Sequence, residues 1–339
     1  MHAQRHLFFI TQNYSYSILR PLQHAIRVRG GEVAWLLAGK ELNYDYLRDD
    51  EHRIYSIEEA INYAPAACYA PGDIVPYMIP GVKVSVFHGF NVAGKKNKFK
   101  IRGFFDLFCT QGADTTQPFQ ALADKHKSFR VVETGWPKLD TLFSNAGQDK
   151  SNEKPTILYS STFSERLTSA PYLISTIKQL AAKSNWHWLI TLHPKMKPEM
   201  VAAYKAIQSD NLRYIESDDL IPVLLQADVM LCDTSSIMYE FLLTQKPVVT
   251  FKNKVRSSYF LNTNNVDEIE SLITQALSKP EELMRSIKHY SAIIHPHRDG
   301  KSSDRVLDAV EWFLSEGHKG LKQKYLSPLR RYKIRRKFC

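Results

Sequence analysis

The chain has 339 residues, 44% hydrophobic and 24% charged, which is too apolar for a disordered chain and long enough for two domains or one large one. Its four cysteines, Cys68, Cys109, Cys232 and Cys339, stand far apart, which excludes CxxC pairs and zinc spacings and leaves reduced thiols as the expectation. The formal net charge of +10 is local: residues 318–339 hold nine Lys and Arg and no acid, so the rest of the chain is close to neutral.

The apolar run at 7–11 predicts a buried strand and is too short for a signal peptide. No run approaches the roughly 20 apolar residues that span a bilayer. A helical pattern follows over 16–28 and stops at Gly30-Gly31. Short apolar runs at 32–39, 67–71, 82–89, 106–112 and 130–137 each close in a turn signal. They alternate with helix-like or irregular stretches, and that alternation predicts a parallel sheet with crossover connections. The polar, aperiodic stretch 144–155 is the expected domain boundary. The rhythm then restarts, with strands expected at 156–161, 187–193, 212–217, 228–232 and 247–252 and helices near 171–183, 197–208, 219–226 and 236–244. Residues 266–278, 280–294 and 302–316 should be helical. The expected architecture is α/β, with two Rossmann-like parallel-sheet domains and a central cleft. The domains would span 1–148 and 149–317, followed by a basic tail at 318–339.

Ligands of such sheets bind at the carboxyl ends of the strands, so the residues there are the candidates. His88 and Gly89 close one run in the first half; histidine titrates near neutral pH and glycine permits close backbone approach. His193 closes a run in the second half, followed by Pro194, Lys195 and Lys197. Asp233, Thr234, Ser235 and Ser236 stand between a strand and a helix, where backbone N–H groups and hydroxyls suit a phosphate. The same residues could simply cap that helix. Glu240, further along it, could reach ribose hydroxyls or be an ordinary paired carboxylate. The loop 295–305 brings Asp299, Gly300 and Lys301 before another helix, as an anion-contacting loop or as a second capped start. The turn 135–143, "GWPKLDTLF", reads as a connector. The basic segment 91–102 is not a P-loop, and GxGxxG, HExxH and GxSxG patterns are absent from the sequence.

Six of these stretches together resemble the CDP-glycerol glycerophosphotransferase family of teichoic acid and capsule poly(glycerol phosphate) synthesis. Its His-Gly is matched by His88-Gly89, and its Gly-x-Pro-Arg-x-Asp turn by "GWPKLD" with Lys138 in place of Arg. Its LYxPTFR is matched by "LYSSTFS", its LHP by residues 192–194, and its DGxASER by "DGKSSDR". Its ADxxITDYSSxxFDY…KPxxxY is matched by "ADVMLCDTSSIMYEFLLTQKPVVTF". The chain departs from the family after His88-Gly89, where "FNVAGKK" replaces TPLKxLG, at Ser164 in place of Arg, and at Glu240 in place of Asp.

The resemblance implies a two-domain fold of the GT-B type and transfer of glycerol phosphate from CDP-glycerol to a hydroxyl, with CMP leaving. It makes His88 and His193 the catalytic candidates, with His88 as the base. Gly89, Asp233, Ser235, Ser236, Glu240, Asp299, Gly300 and Lys301 become candidates for holding the donor, without metal or cofactor. The implied partners are a CDP-activated alcohol donor, a lipid-linked or polymeric anionic acceptor and an anionic membrane surface held through the basic tail. The implied location is cytoplasmic, peripheral on the inner face of the cytoplasmic membrane. A nucleotide-sugar glycosyltransferase or a UDP-sugar 2-epimerase of the same fold is the alternative, and Glu240 favours it. No nucleic-acid partner is expected, because the charge sits in one tail and no nucleic-acid motif is present.

Overall fold

The computed structural model of the chain describes residues 4–39, 42–90, 99, 101–144, 153–217 and 219–338. Most of segment 91–102 and of the expected boundary 144–155 lies outside them. The described residues form two compact units. The first holds those up to Ser144 together with those from Ile294 onward; the second ends at Ile293.

The first unit opens with β1 (Arg5–Ile10), α1 (Tyr14–Val28), β2 (Glu32–Leu37), β3 (His52–Ile54), α2 (Ile57–Tyr63) and β4 (Ala67–Ala70). It continues with β5 (Val82–Ser85), β6 (Leu107–Thr110), α3 (Ala113–His126), β7 (Arg130–Glu133) and α4 (Asp140–Ser144). Among the described residues these strands make one parallel sheet in the order β3-β2-β1-β4-β5-β6-β7. The central strands β1 and β4 are almost wholly apolar because both faces are covered. Helix α1 buries Ile18, Leu19, Leu22 and Ile26, one stripe at helical spacing. It stops where Gly30 turns left-handed at φ 77°, which lets the Gly31 N–H bond the Ile26 carbonyl. The strand order reverses beside β1, between β2 and β4, and a crevice opens at the carboxyl ends of such a switch point.

The second unit runs β8 (Thr156–Ser161), α5 (Ala170–Lys183), β9 (His187–Leu192), α6 (Pro198–Ala206), β10 (Leu212–Tyr214) and α7 (Ile221–Gln226). It continues with β11 (Val229–Cys232), α8 (Ile237–Leu242), β12 (Val248–Phe251), β13 (Leu261–Thr263), α9 (Ile269–Leu277) and α10 (Glu281–Ile294). Its strands are parallel in the order β10-β9-β8-β11-β12-β13, with the reversal beside β8. The three-residue strands β3 and β13 are the ones the sequence reading lacks. Both lie at sheet edges, as does the equally short β10, which the sequence reading does place.

The chain then returns to the first unit with α11 (Ser302–Trp312) and α12 (Pro328–Phe338). The expected domain 149–317 is therefore divided at residue 294, and 318–339 is not a separate tail. Leu326, Ile334 and Phe338 join the core of the first unit, and the Phe338 ring meets Phe9 edge-on at 5.2 Å. Lys324 pairs with Asp106 at 2.6 Å and donates to the Phe104 carbonyl at 3.0 Å. Arg130 donates to the Gly317 and Lys319 carbonyls at 2.8 and 2.9 Å. Three apolar side chains on one side of a basic segment are enough to dock it.

The return is held by two glycine turns. Gly135 sits at φ 79°, and a Cβ there would lie 2.5 Å from Ser302 Oγ. Gly300 sits at φ 68°, and a Cβ there would lie 2.5 Å from Ser144 Oγ. Between them the buried His295 accepts from the Trp136 N–H through Nε2 at 2.9 Å, and its ring stacks on Phe143 at 5.4 Å. Burial pushes His295 down to about 3, with the neighbouring His297 adding to it.

Candidate active site

In the first unit His88 and Gly89 stand at the carboxyl edge of the sheet, with His88 beside the residues that follow β1 and β4. After β5 the backbone turns at Phe87, left-handed at φ 57°, and presents His88 to solvent. The turn is pinned by Trp136 Nε1, which donates to the Phe87 carbonyl at 3.3 Å, and by Gln111 Nε2, which donates to the Gly89 carbonyl at 3.0 Å. His88 Nδ1 lies 3.2 Å from the Pro71 carbonyl. A carbonyl can only accept, so Nδ1 carries the proton and Nε2 keeps its lone pair in the neutral ring. The Tyr14 ring, at the start of α1, stacks on His88 at 5.5 Å and 27°. Burial and then the nearby Asp73 push the Tyr14 phenol up to about 12, so it stays protonated. A Cβ on Gly89 would meet nothing within 4 Å, so packing does not demand a glycine there and the space in front of it is open.

In the second unit His193 follows β9 and is half-buried. Its Nδ1 accepts from the Lys195 backbone N–H at 3.0 Å. The proton of the neutral ring is therefore on Nε2, the opposite tautomer to His88. The Phe163 ring covers it at 4.4 Å. Burial, then the charge of Lys195, lowers its pKa below 6.5 and favours the neutral donor. Ser235 and Ser236 follow β11, half-buried and exposed respectively, and Ser236 caps α8 without a side-chain hydrogen bond to it. Glu240, within α8, is buried, with 8% of its surface exposed.

Two sequence expectations are corrected. Asp233 is fully buried and cannot touch a donor. Its carboxylate accepts from Ser161 Oγ at 2.5 Å, the Thr162 N–H at 3.0 Å, and the Ser169 N–H and Oγ at 2.8 and 3.0 Å. It ties the loop after β8, which carries Phe163, to the end of β11. Burial raises its pKa while these bonds act against the rise.

The loop Asp299-Gly300-Lys301 belongs to the first unit, with His88, and not with Ser235. Asp299 pairs with Arg305 and accepts from the Lys301 N–H at 3.2 Å, and it is held down at about 2, Arg305 being the main cause. The start of α11 already has its anion: the Asp140 carboxylate takes the Ser302 and Ser303 N–H groups at 2.7 Å each. "GWPKLD" and "DGKSSDR" thus form one internal clamp and offer no free phosphate site at that helix start.

Tyr14, Gln111 and Phe163 escaped the sequence reading. Tyr14 has a findable signal, since it opens the helix after the first strand; Gln111 and Phe163 act only through contacts. Among the described residues, no cluster of three or more His, Cys, Asp or Glu could hold a metal, and no helix is long and apolar enough to cross a membrane.

Known proteins resemble this chain in sequence and in fold. The chain is 27% identical over 206 residues to the teichoic acid glycerol-phosphate primase of Bacillus subtilis, covering 56% of this chain and 53% of that protein. It is 25% identical over 259 residues to the teichoic acid ribitol-phosphate polymerase TarL of Staphylococcus aureus, covering 65% and 44%. The chain thus spans about half the length of the curated relatives it matches. The solved structure of the wall teichoic acid polymerase TagF superposes with a TM-score of 0.71 at 14% identity, over 93% of this chain and 90% of that one, and shares the two-sheet, GT-B type fold. The family profile described as CDP-glycerol:poly(glycerophosphate) glycerophosphotransferase matches residues 93–312, and the chain belongs to that family.

Proposed function

We propose that the protein transfers glycerol phosphate from CDP-glycerol to a hydroxyl of an anionic acceptor or growing polymer, releasing CMP. Family membership supports the reaction class, and the opposite tautomers of His88 and His193 support the division of labour. The acceptor oxygen forms a bond to the phosphorus that carries glycerol, and the bond from that phosphorus to the CMP oxygen breaks. His88 Nε2, with its lone pair, takes the acceptor proton as general base. His193 Nε2–H donates to the phosphate that gains charge as CMP leaves. The hydroxyls of Ser235 and Ser236 add donors to the same phosphates, and Glu240 holds the ribose. Lys301, exposed, and Gly89, with open space before it, remain candidates for donor contact.

The acceptor would be lipid-linked or polymeric, and α12 would rest on an anionic membrane. Leu329 and Tyr332 of α12, and Tyr325 ahead of it, are exposed beside Lys333 and Arg336, and clustered cations with exposed apolar side chains suit an anionic surface. CDP-ribitol is the second donor reading, supported by the ribitol-phosphate polymerase among the relatives. The test is nucleotide release with CDP-glycerol, CDP-ribitol and UDP-sugars in the presence of membranes of the source. CMP release from a CDP-alcohol, falling about 10³-fold in His88→Ala, is the expected result. UDP release from a UDP-sugar would replace this reading with the glycosyltransferase or epimerase one.

A further inference from the structure

The second unit holds a hollow of about 460 Å³ that the proposed reaction does not use. That volume lies within the ~300–1,000 Å³ typical of ligand sites. Ser257, Ser258 and Tyr259 line it from the loop between β12 and β13; Arg285, His289 and Tyr290 line it from α10. Tyr259 and Tyr290 stack face to face, 3.8 Å between centroids and 5° between planes. Tyr290 also meets Tyr239 of α8 at 6.1 Å, so the aromatic wall is tied to the helix that follows Ser236. The loop leaves the parallel sheet at the same carboxyl edge where β9 ends before His193 and β11 before Ser235.

The lining carries Arg285 and His289 and no acid. The loop ahead of the lining serines also has the exposed Lys254 and Arg256, while Lys252 lies over the Tyr172 ring at 3.5 Å. Helix α10 also carries Lys288, and its acids Glu281 and Glu282 stand in the first turn. Glu281 pairs with Arg285 at 2.6 Å, but with side chains 84% and 71% exposed that pair is weak and easily exchanged for another anion. An apolar ligand would strand the serines and cations. A nucleobase would want an aromatic face, and the two tyrosines cover one face of each other. Cations beside hydroxyls suit a chain of phosphodiesters joined by hydroxylated carbons.

We propose that this hollow is a subsite for a polyol-phosphate segment of the acceptor chain, which extends the proposed function to the grip on the growing polymer and rests on it. The donor diphosphate shares part of this chemistry, so the test must separate the two. The full-length protein is titrated calorimetrically with a synthetic three-unit glycerol phosphate oligomer and, separately, with CMP. Wild type is compared with Arg285→Ala/His289→Ala and with the loop variant Lys254→Glu/Arg256→Glu, both of which alter only exposed side chains. Both variants should lose about tenfold in oligomer affinity, the scale of one charge-assisted contact, while CMP affinity stays within about twofold. Oligomer binding by wild type should also weaken with salt. Unchanged oligomer affinity in both variants, or no oligomer binding by wild type, overturns the proposal. Lost CMP affinity in either variant also overturns it and assigns the hollow to the donor. Equilibrium binding needs no turnover, so a protein that binds the oligomer yet releases no CMP would refute the proposed function alone.

Discussion

Two serine pairs in this chain look alike in sequence and differ in the fold. "DTSS", 233–236, precedes α8, and "DGKSS", 299–303, runs into α11, whose first two residues are its serines. At α11 the chain supplies its own anion, because Asp140 occupies both serine N–H groups. At α8 the preceding acid, Asp233, turns inward to the β8 loop, and Ser236 makes no side-chain cap. An anion site at a helix start is thus decided by whether an internal carboxylate already fills it. That is a tertiary matter, invisible in the Ser-Ser pattern itself.

The difference breaks most plainly at Asp140. Asp140→Ala leaves two N–H groups at the start of α11 without their acceptor and should lower unfolding free energy by about 3 kcal/mol in a denaturant titration. Inorganic phosphate should then raise the melting temperature of the variant more than that of wild type, because the vacated helix start can take it. Equal phosphate effects would refute the filled-site account. The reciprocal change, Ser235→Ala with Ser236→Ala, should lower turnover about 30-fold, near 2 kcal/mol, while stability moves by less than about 0.5 kcal/mol. Ser302→Ala with Ser303→Ala should leave turnover unchanged.

The clamp side can also be sharpened through pH. The folded pKa of His295 is near 3, below the 6.5 of a free imidazole, so the unfolded chain binds this proton and the folded one resists it. The stabilisation is complete above pH 6.5 and is lost as pH falls towards 3, at about 1.4 kcal/mol per pH unit. His295→Gln, whose amide oxygen can still accept from the Trp136 N–H, should flatten that slope between pH 6.5 and 4.5. An unchanged slope would place the acid sensitivity elsewhere.

Much of this was legible beforehand. The strands of both sheets stand where apolar runs end in turn signals, because a strand covered on both faces must be apolar throughout. His88 and His193 are readable because they close such runs. Edge strands β3 and β13 were not, although the equally short β10 was. Nor was the docking of the segment from 318 onward, where nine cations hide the three apolar residues that hold it.

The amino-acid sequence by itself determined the two parallel sheets, the residues at their carboxyl ends and the family motifs, all of which are local patterns of hydrophobicity and turn chemistry. Only the tertiary structure decided the opposite tautomers of the two histidines, the inward turn of Asp233, and the use of Asp140 as an internal anion. It also decided that the chain returns to its first unit after residue 293. Each of these depends on partners far along the chain, such as Pro71 for His88 and Ser302 for Asp140, and pairings at that distance leave no periodic trace in the residues between.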